Sequence, residues 1–145
     1  MRNFGLIGFP LSHSFSQIFF TDKFKKLNIS CNYNNYEIGD LSNLKALISN
    51  NQLSGLNVTS PFKTSIIPYL DQLEETGKTV GSVNTILIKD EKLIGYNTDI
   101  IGFKISLERI IGDQKPPTLI LGTGGSAKAV AFVLKQKSIA FKFVS

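Results

Sequence analysis

The sequence predicts an α/β protein with a mostly parallel sheet, followed by a second and shorter α/β unit. Strand-like apolar segments alternate with segments whose apolar residues recur at helical spacing. This alternation is typical of sheets whose parallel strands are joined by helices. A glycine-rich stretch, Gly122–Ala127, follows a strand-like segment late in the chain and marks the second unit.

The elements can be assigned in chain order from these patterns. Strands are predicted at Asn3–Phe9, Asn32–Ile38, Gly55–Val58, Gly81–Ile88, Leu93–Tyr96, Thr118–Leu121 and Ala140–Val144. Helices are predicted at Ser16–Lys26, from Asp40 or Ser42 through Ile48, through Ile66 and Ile67, at Leu70–Thr79, from Ile100 through Ile110, and after the glycine-rich stretch. Gly112–Pro117 is a linker before the second unit.

Composition excludes several classes of protein. The 145 residues, 42% hydrophobic and 19% charged, suit a globular protein with its own core. No apolar run approaches the roughly 20 residues of a membrane span and no signal peptide is recognisable, so we expect a cytoplasmic protein without a membrane partner. A single cysteine, Cys31, allows no internal disulfide, and no metal-ligand spacing is present. The net charge of +5 is scattered, which favours anionic ligands but predicts no nucleic-acid surface.

The stretch Gly55–Lys63 predicts a ligand site. Ser60 precedes Pro61, which favours a turn after a short buried strand. Asn57, Thr59 and Lys63 therefore lie near the carboxyl end of that strand, the edge at which open α/β sheets bind ligands. An amide, a hydroxyl and an amine suit a small polyhydroxylated substrate, although Asn and Thr beside a turn also bond local backbone.

Two helix starts carry further polar groups. Ser14 and Ser16 precede or begin the first helix, where they act either as N-caps or as an anion site. His13 is the only histidine, and a lone histidine is more often a local hydrogen-bond partner than a catalytic residue. Asp99 lies where the helix through Ile100 begins, so it either caps that helix or provides a carboxylate beside Lys63.

The glycine-rich stretch matches a dinucleotide-binding pattern. Gly122, Gly124 and Ala127 fit G-x-G-x-x-G/A between a strand and a helix. In a Rossmann unit the residue that reads the ribose follows at the end of the second strand, which here falls at or just past Ser145. We therefore expect this chain to be the truncated front part of a longer protein.

Five motifs together resemble the shikimate dehydrogenase family, which reduces 3-dehydroshikimate with NADPH. They are Gly8–Ser16, Asn57–Lys63, Gly81–Thr85, Asn97–Asp99 and Gly122–Ser126. The resemblance implies a shikimate-binding catalytic domain at residues 1–101 and a linker helix and loop at 102–116. Residues 117–145 would then be the first β-α-β unit of an incomplete Rossmann NADP-binding domain.

The resemblance also implies roles for individual residues. Lys63 and Asp99 fall on the family's catalytic pair, and both would also contact substrate. The other implied substrate-binding residues are Ser14 and Ser16, which would hold the carboxylate, and Asn57, Thr59 and Asn84, which would line the ring pocket. The implied NADP-binding residues are Gly122, Thr123, Gly124, Gly125, Ser126 and Ala127. The chain departs from the family pattern at Gln17, where proline is usual, and at Ser60, where an apolar residue is common.

The function implied is the reversible, NADPH-dependent reduction of 3-dehydroshikimate to shikimate in aromatic amino-acid (chorismate) biosynthesis. Alternatives are a quinate/shikimate dehydrogenase that uses NAD, and a non-catalytic shikimate-binding module. We expect residues 1–145 alone to be inactive, because the second unit is incomplete. Exposed apolar surface on the Phe- and Ile-rich elements would favour self-association, for example as a homodimer.

Overall fold

The computed structural model describes residues 1–145 and contains two separate sheets, one of six strands and one of two. The strands are β1 (Arg2–Gly8), β2 (Cys31–Glu37), β3 (Leu53–Val58), β4 (Gln72–Leu73), β5 (Thr85–Lys89), β6 (Lys92–Tyr96), β7 (Thr118–Leu121) and β8 (Phe141–Val144). The α-helices are α1 (Ser16–Lys26), α2 (Leu44–Asn50), α3 (Phe62–Ser65), α4 (Glu75–Val80), α5 (Asp99–Ile111) and α6 (Gly125–Gln136). A 3₁₀ turn at Ile67–Tyr69 follows α3.

The larger sheet has the strand order β2-β1-β3-β5-β6-β4 and confirms the predicted α/β class. β1 pairs in parallel with β2 and β3, and β4 pairs in parallel with β6. β5 runs antiparallel to both β3 and β6. Its connection to β6 is a tight hairpin, since Asp90 and Glu91 alone join the two strands and both have positive φ. The carboxyl end of β3 therefore lies beside the start of β5 and the end of β6, with Asn57 opposite Thr85 and Thr85 opposite Tyr96.

The main core lies between this sheet and the helices on one of its faces. It contains Ile7 of β1, Leu56 and Val58 of β3, and Phe62 and Ile66 in and after α3. Phe62 and Ile66 are buried on the inner side of this segment. Lys63 therefore points away from the core, and its amine reaches Asp99 at the sheet edge. The packing of α3 thus fixes the position of Lys63.

The second unit consists of β7, β8 and α6. The two strands are parallel, and α6 covers one side of them through Leu134 packed against Ile120. α5 packs against α6, with Ile100 beside Ala129 and Val133. The predicted division at residue 101 falls inside α5, which joins the two units, and the division remains a prediction.

Two local predictions are wrong. Leu70–Thr79 is not one helix, because its first half pairs with β6 as strand β4 and the Leu93 N–H donates to Asp71 Oδ2 at 2.8 Å. The strand predicted from Gly81 begins only at Thr85, because Gly81 ends α4 in the left-handed region (φ 64°) and the following residues form a loop. None of the helices combines the length and the apolar character that crossing a lipid bilayer requires.

Replacing Ile66 by alanine is expected to lower the free energy of unfolding by about 2–5 kcal/mol, because the change leaves a cavity in the core. Urea unfolding followed by circular dichroism measures it. Ile101→Ala is the matched control, since the Ile101 side chain on α5 is 57% exposed. This control should change the free energy of unfolding by less than about 0.5 kcal/mol. Equal losses in the two variants would contradict this assignment of the core.

Candidate active site

Lys63 and Asp99 form an ion pair at the carboxyl edge of the larger sheet. Lys63 lies in α3, just after β3, and Asp99 is the first residue of α5, just after β6. Lys63 Nζ is 2.7 Å from Asp99 Oδ2, and their side chains are 16% and 30% exposed. The two residues are brought together because β3 and β6 end on either side of the start of β5.

The second oxygen of Asp99 is bound by Asn84. Asn84 Nδ2 donates to Asp99 Oδ1 at 2.7 Å, while Asn84 Oδ1 accepts the Thr98 N–H at 2.8 Å. Asn84 is thereby fixed in orientation, and both carboxylate oxygens of Asp99 have partners. The alternative in which Asp99 merely caps α5 does not hold, because Thr98 is the N-cap and the Asp99 oxygens bond Lys63 and Asn84.

Asn57 connects this pair to the first helix through Tyr33. Asn57 Nδ2 donates to the Asn84 carbonyl at 3.4 Å, and Asn57 Oδ1 accepts the Tyr33 hydroxyl at 2.8 Å. Burial raises the pKa of Tyr33 to about 12, and a hydrogen bond with Ser16 offsets part of that rise. Sequence reasoning missed Tyr33, because an aromatic residue in an alternating strand is indistinguishable from an ordinary core residue.

Ser14 and Ser16 lie at the start of α1, but neither is its N-cap. Phe15 occupies that position without a capping side chain, and Ser14 Oγ only accepts the Ser16 N–H at 3.4 Å. The preceding loop is held by Glu37, whose Oε2 accepts the Leu11 N–H at 2.6 Å. The two serine hydroxyls lie at a helix N-terminus that has no acidic residue in its first turn, an arrangement suited to an anion.

Thr59 and the glycine loop line a polar cleft of about 460 Å³. Gly122 has a φ of 97°, a conformation that favours glycine, and the loop leads into α6. No side chain caps the N-terminus of α6, so the first amide N–H groups of this helix have no capping partner and face the cleft. The residues lining the cleft are Thr59, Ser60, Pro61, Lys63, Thr64, Leu121, Gly122, Gly124, Gly125, Ser126 and Ala127.

The loop suits a dinucleotide phosphate. A Cβ atom added at Gly122 or Gly124 would meet nothing within 4 Å, so the space above both glycines is open. Together with the uncapped helix N-terminus, this space accommodates an anionic group close to the backbone. Thr123 is exposed on the same loop.

The glycine loop also contacts the larger unit directly. Lys63 Nζ donates to Ser126 Oγ at 2.9 Å, and Ser82 Oγ donates to the Gly125 carbonyl at 3.1 Å. Ser82 is held by Asn97, whose Nδ2 donates to the Ser82 carbonyl and hydroxyl at 2.9 and 2.8 Å. Sequence reasoning missed Ser82 and Asn97 as contacts of the loop, although both fall within motifs that it identified.

A second cavity of about 340 Å³ lies on the face of the sheet beside α1. It is lined mainly by apolar side chains, among them Phe4, Phe20 and Phe24, and Arg2 is its one charged residue. A polyhydroxylated ligand needs several polar partners, so the cleft beside Lys63 is the better candidate.

Fold and site together define a class of protein in which a polar ligand site on one α/β unit faces a dinucleotide-type glycine loop on another. Residues 6–86 match the family model described as the shikimate dehydrogenase substrate binding domain. This match covers more than half of the chain, which therefore belongs to the shikimate dehydrogenase family.

Curated relatives agree with this assignment. The chain is 41% identical over 138 residues to a shikimate dehydrogenase (NADP(+)) of Methanosphaera stadtmanae, covering 93% of this chain and 48% of that protein. It is 44% identical over 131 residues to a shikimate dehydrogenase (NADP(+)) of Staphylococcus epidermidis, covering 88% of this chain and 49% of the relative. The chain thus spans about half the length of the curated relatives it matches.

Solved structures show the same architecture. Shikimate dehydrogenase 1 from Peptoclostridium difficile matches all of this chain and 57% of its own length, with a TM-score of 0.92 and 38% identity. A Thermus thermophilus shikimate 5-dehydrogenase in complex with NADP(H) and shikimate matches 99% of this chain and 55% of its own, with a TM-score of 0.86 and 29% identity. A Corynebacterium glutamicum quinate dehydrogenase in complex with NAD matches 98% of this chain and 54% of its own, with a TM-score of 0.86 and 26% identity.

Stability should fall between about pH 10 and pH 12 through Tyr33. Its folded pKa of about 12 exceeds the ordinary value of 10.0, so the fold favours the protonated phenol. The resulting stabilisation is complete below about pH 10 and is lost as the pH rises through the folded value, by at most about 2–3 kcal/mol.

Urea unfolding of the parent and of Tyr33→Phe at pH 8 and pH 11 measures this effect. Other groups also titrate in this range, so the difference between the two proteins isolates Tyr33. We expect the parent to lose more stability than the phenylalanine variant. An identical pH dependence in both would show that Tyr33 is not protected in the folded state.

Proposed function

We propose that this chain supplies the substrate site and the catalytic pair for the reversible, NADPH-dependent reduction of 3-dehydroshikimate to shikimate. One observation carries the proposal: the Lys63 ammonium lies 2.7 Å from Asp99 and 2.9 Å from Ser126 of the glycine loop. An amine at this position adjoins both the polar strand ends and the loop. The names of the curated relatives support the same activity.

The chemistry requires a group that exchanges a proton with the substrate oxygen. When a secondary alcohol is oxidised, its hydroxyl proton must leave as the carbon loses a hydride, and the reverse reaction returns a proton to the developing alkoxide. Lys63 is the candidate for this transfer, and Asp99, itself fixed by Asn84, orients the amine. NADP, when bound, supplies the hydride acceptor or donor. Gly122–Ala127 would hold its pyrophosphate.

The remaining polar residues are proposed to recognise the substrate. Ser14 and Ser16 present hydroxyls at the uncapped start of α1, which suits the shikimate carboxylate. Asn57, Asn84 and Thr59 surround the catalytic pair with neutral hydrogen-bonding groups, which suit ring hydroxyls. Tyr33 contacts both parts of this set, because its hydroxyl donates to Asn57 and its ring stacks on Phe20 of α1.

A quinate/shikimate dehydrogenase that uses NAD is the second candidate. The structural similarity to a quinate dehydrogenase in complex with NAD favours it. Turnover of the full-length protein with shikimate or quinate, each paired with NADP⁺ or NAD⁺, separates the two. Shikimate binding by a protein with no turnover of any pair would instead support a binding module.

We further propose that the protein acts in the cytoplasm and self-associates as a homodimer. The single cysteine suits a reducing compartment. Leu119 and Leu121 on β7 are 65% and 80% exposed, and such apolar surface favours association.

Lys63→Ala is expected to lower kcat for shikimate oxidation by about 10²–10⁴-fold, the usual effect of losing a general acid or base. KM for shikimate should stay within about threefold, because the other polar groups remain. Steady-state kinetics of the full-length protein with shikimate and NADP⁺ provide both constants. Lys45→Ala, at an exposed position on α2, is the control and should leave both unchanged. Unchanged kcat with a raised KM in Lys63→Ala would make Lys63 a binding residue only.

The double variant Ser14→Ala/Ser16→Ala should lose affinity for shikimate by about tenfold or more, because two hydroxyl donors to a charged group disappear. Affinity for a ring analogue without the carboxylate should change much less. Isothermal titration with the two ligands makes the comparison. Equal losses for both ligands would indicate that the serines only support the start of α1.

A further inference from the structure

The structure assigns Ser126 as a positioning residue for Lys63, an inference that rests on the proposed function. Ser126 is the second residue of α6, and its Oγ accepts a hydrogen bond of 2.9 Å from Lys63 Nζ. The glycine motif accounts for Ser126 only as part of a phosphate-binding loop. Its contact with Lys63 gives its side chain a second role, which is to orient the amine across the boundary between the two units.

The loop is shaped to receive the Lys63 side chain. A Cβ atom added at Gly125 would lie 2.7 Å from Lys63 Cβ and 3.3 Å from both Lys63 Cδ and Ser82 Cβ. Glycine is therefore required at position 125 for the loop to approach the lysine this closely. Because Ser126 follows directly, this close approach brings its hydroxyl within reach of the ammonium.

A buried polar pair anchors the loop in this position. Ser82 and Asn97 are 0% and 1% exposed, and they and the Tyr33 hydroxyl are the polar side-chain groups among the buried residues. Ser82 Oγ donates to the Gly125 carbonyl, and Asn97 donates to Ser82. Buried polar groups with satisfied hydrogen bonds rigidify the structure around them. Asn97 Oδ1 also accepts the Ile100 N–H at 3.4 Å, so the side chain that holds Ser82 is also bonded to the first turn of α5, the helix that begins at Asp99.

The two contacts define where the lysine's third proton points. An ammonium group has three N–H donors, and Asp99 Oδ2 and Ser126 Oγ accept two of them. With two partners fixed, tetrahedral geometry sets the direction of the third donor, which is left for a substrate oxygen. Without Ser126 the amine keeps one partner and rotates about it, on a side chain with large rotamer freedom.

Kinetics of the full-length protein test this role with three variants. Ser126→Ala should lower kcat for shikimate by about tenfold, the effect expected for one hydrogen bond to a charged group. KM for shikimate should remain within about twofold, because Ser126 does not contact the substrate site residues other than Lys63. Ser126→Thr keeps the hydroxyl and should restore most of the rate. Ser106→Ala, an equivalent change at an exposed position of α5, should have no effect.

Lysine ammonium NMR tests the positioning without any turnover. In the ¹⁵N-labelled full-length protein at low temperature, a hydrogen-bonded Lys63 ammonium should give a resolved signal, assigned by its loss in Lys63→Arg. We expect the signal in the parent, Ser106→Ala and Ser126→Thr, and its loss or shift in Ser126→Ala. Alanine is a good helix former at this exposed position, so the variant should fold.

The two measurements separate failure of this inference from failure of the proposed function. A Lys63 signal that changes in Ser126→Ala, in a parent that does not oxidise shikimate, supports the positioning role and refutes the proposed activity. A Lys63 signal that is the same in the parent and Ser126→Ala overturns the positioning role, whatever the turnover. An unchanged kcat in Ser126→Ala overturns it as well.

Discussion

The ion pair between Lys63 and Asp99 is the interaction on which the arrangement of this site depends. It joins residues 36 positions apart and links the helix after β3 to the helix after β6. Partly exposed ion pairs contribute only about 0–1 kcal/mol to stability, so the pair's importance is geometric. Each member is fixed by further bonds: Asp99 by Asn84, and Lys63 by Ser126 of the glycine loop. The amine is therefore held at the boundary between the polar strand ends of the larger sheet and the glycine loop.

The mixed pairing of the larger sheet makes this arrangement possible. In a fully parallel sheet every strand would end at the same edge, and helices would follow each strand. Here β5 runs in the opposite direction, so Asn84 just before it lies beside Asn57 at the end of β3 and Thr98 after the end of β6. The two-residue turn at Asp90–Glu91 is what reverses the chain. A short turn far from the site thus brings its residues together.

Sequence reasoning recovered the fold class and the motifs, because these depend on local patterns. The Gly55–Lys63 stretch and the glycine loop each carry their information within about ten residues. The contacts of Tyr33, Ser82 and Asn97 depend instead on strand register and loop path, which periodicity does not encode. The prediction that Ser14 or Ser16 caps α1 is wrong for a related reason. A hydroxyl near a helix start favours a cap, but the backbone path places Phe15 at the N-cap position. Whether the predicted residues bind substrate and NADP remains a prediction.

A crystal structure of this chain with bound shikimate tests the central claim most directly. The account predicts one ring hydroxyl within hydrogen-bonding distance of both Lys63 Nζ and an Asp99 oxygen, with the carboxylate against the Ser14 and Ser16 hydroxyls. The Lys63–Asp99 contact should persist in the complex. Shikimate bound in the apolar cavity beside α1, or with its carboxylate on Lys63 and its ring away from Asp99, would contradict the account.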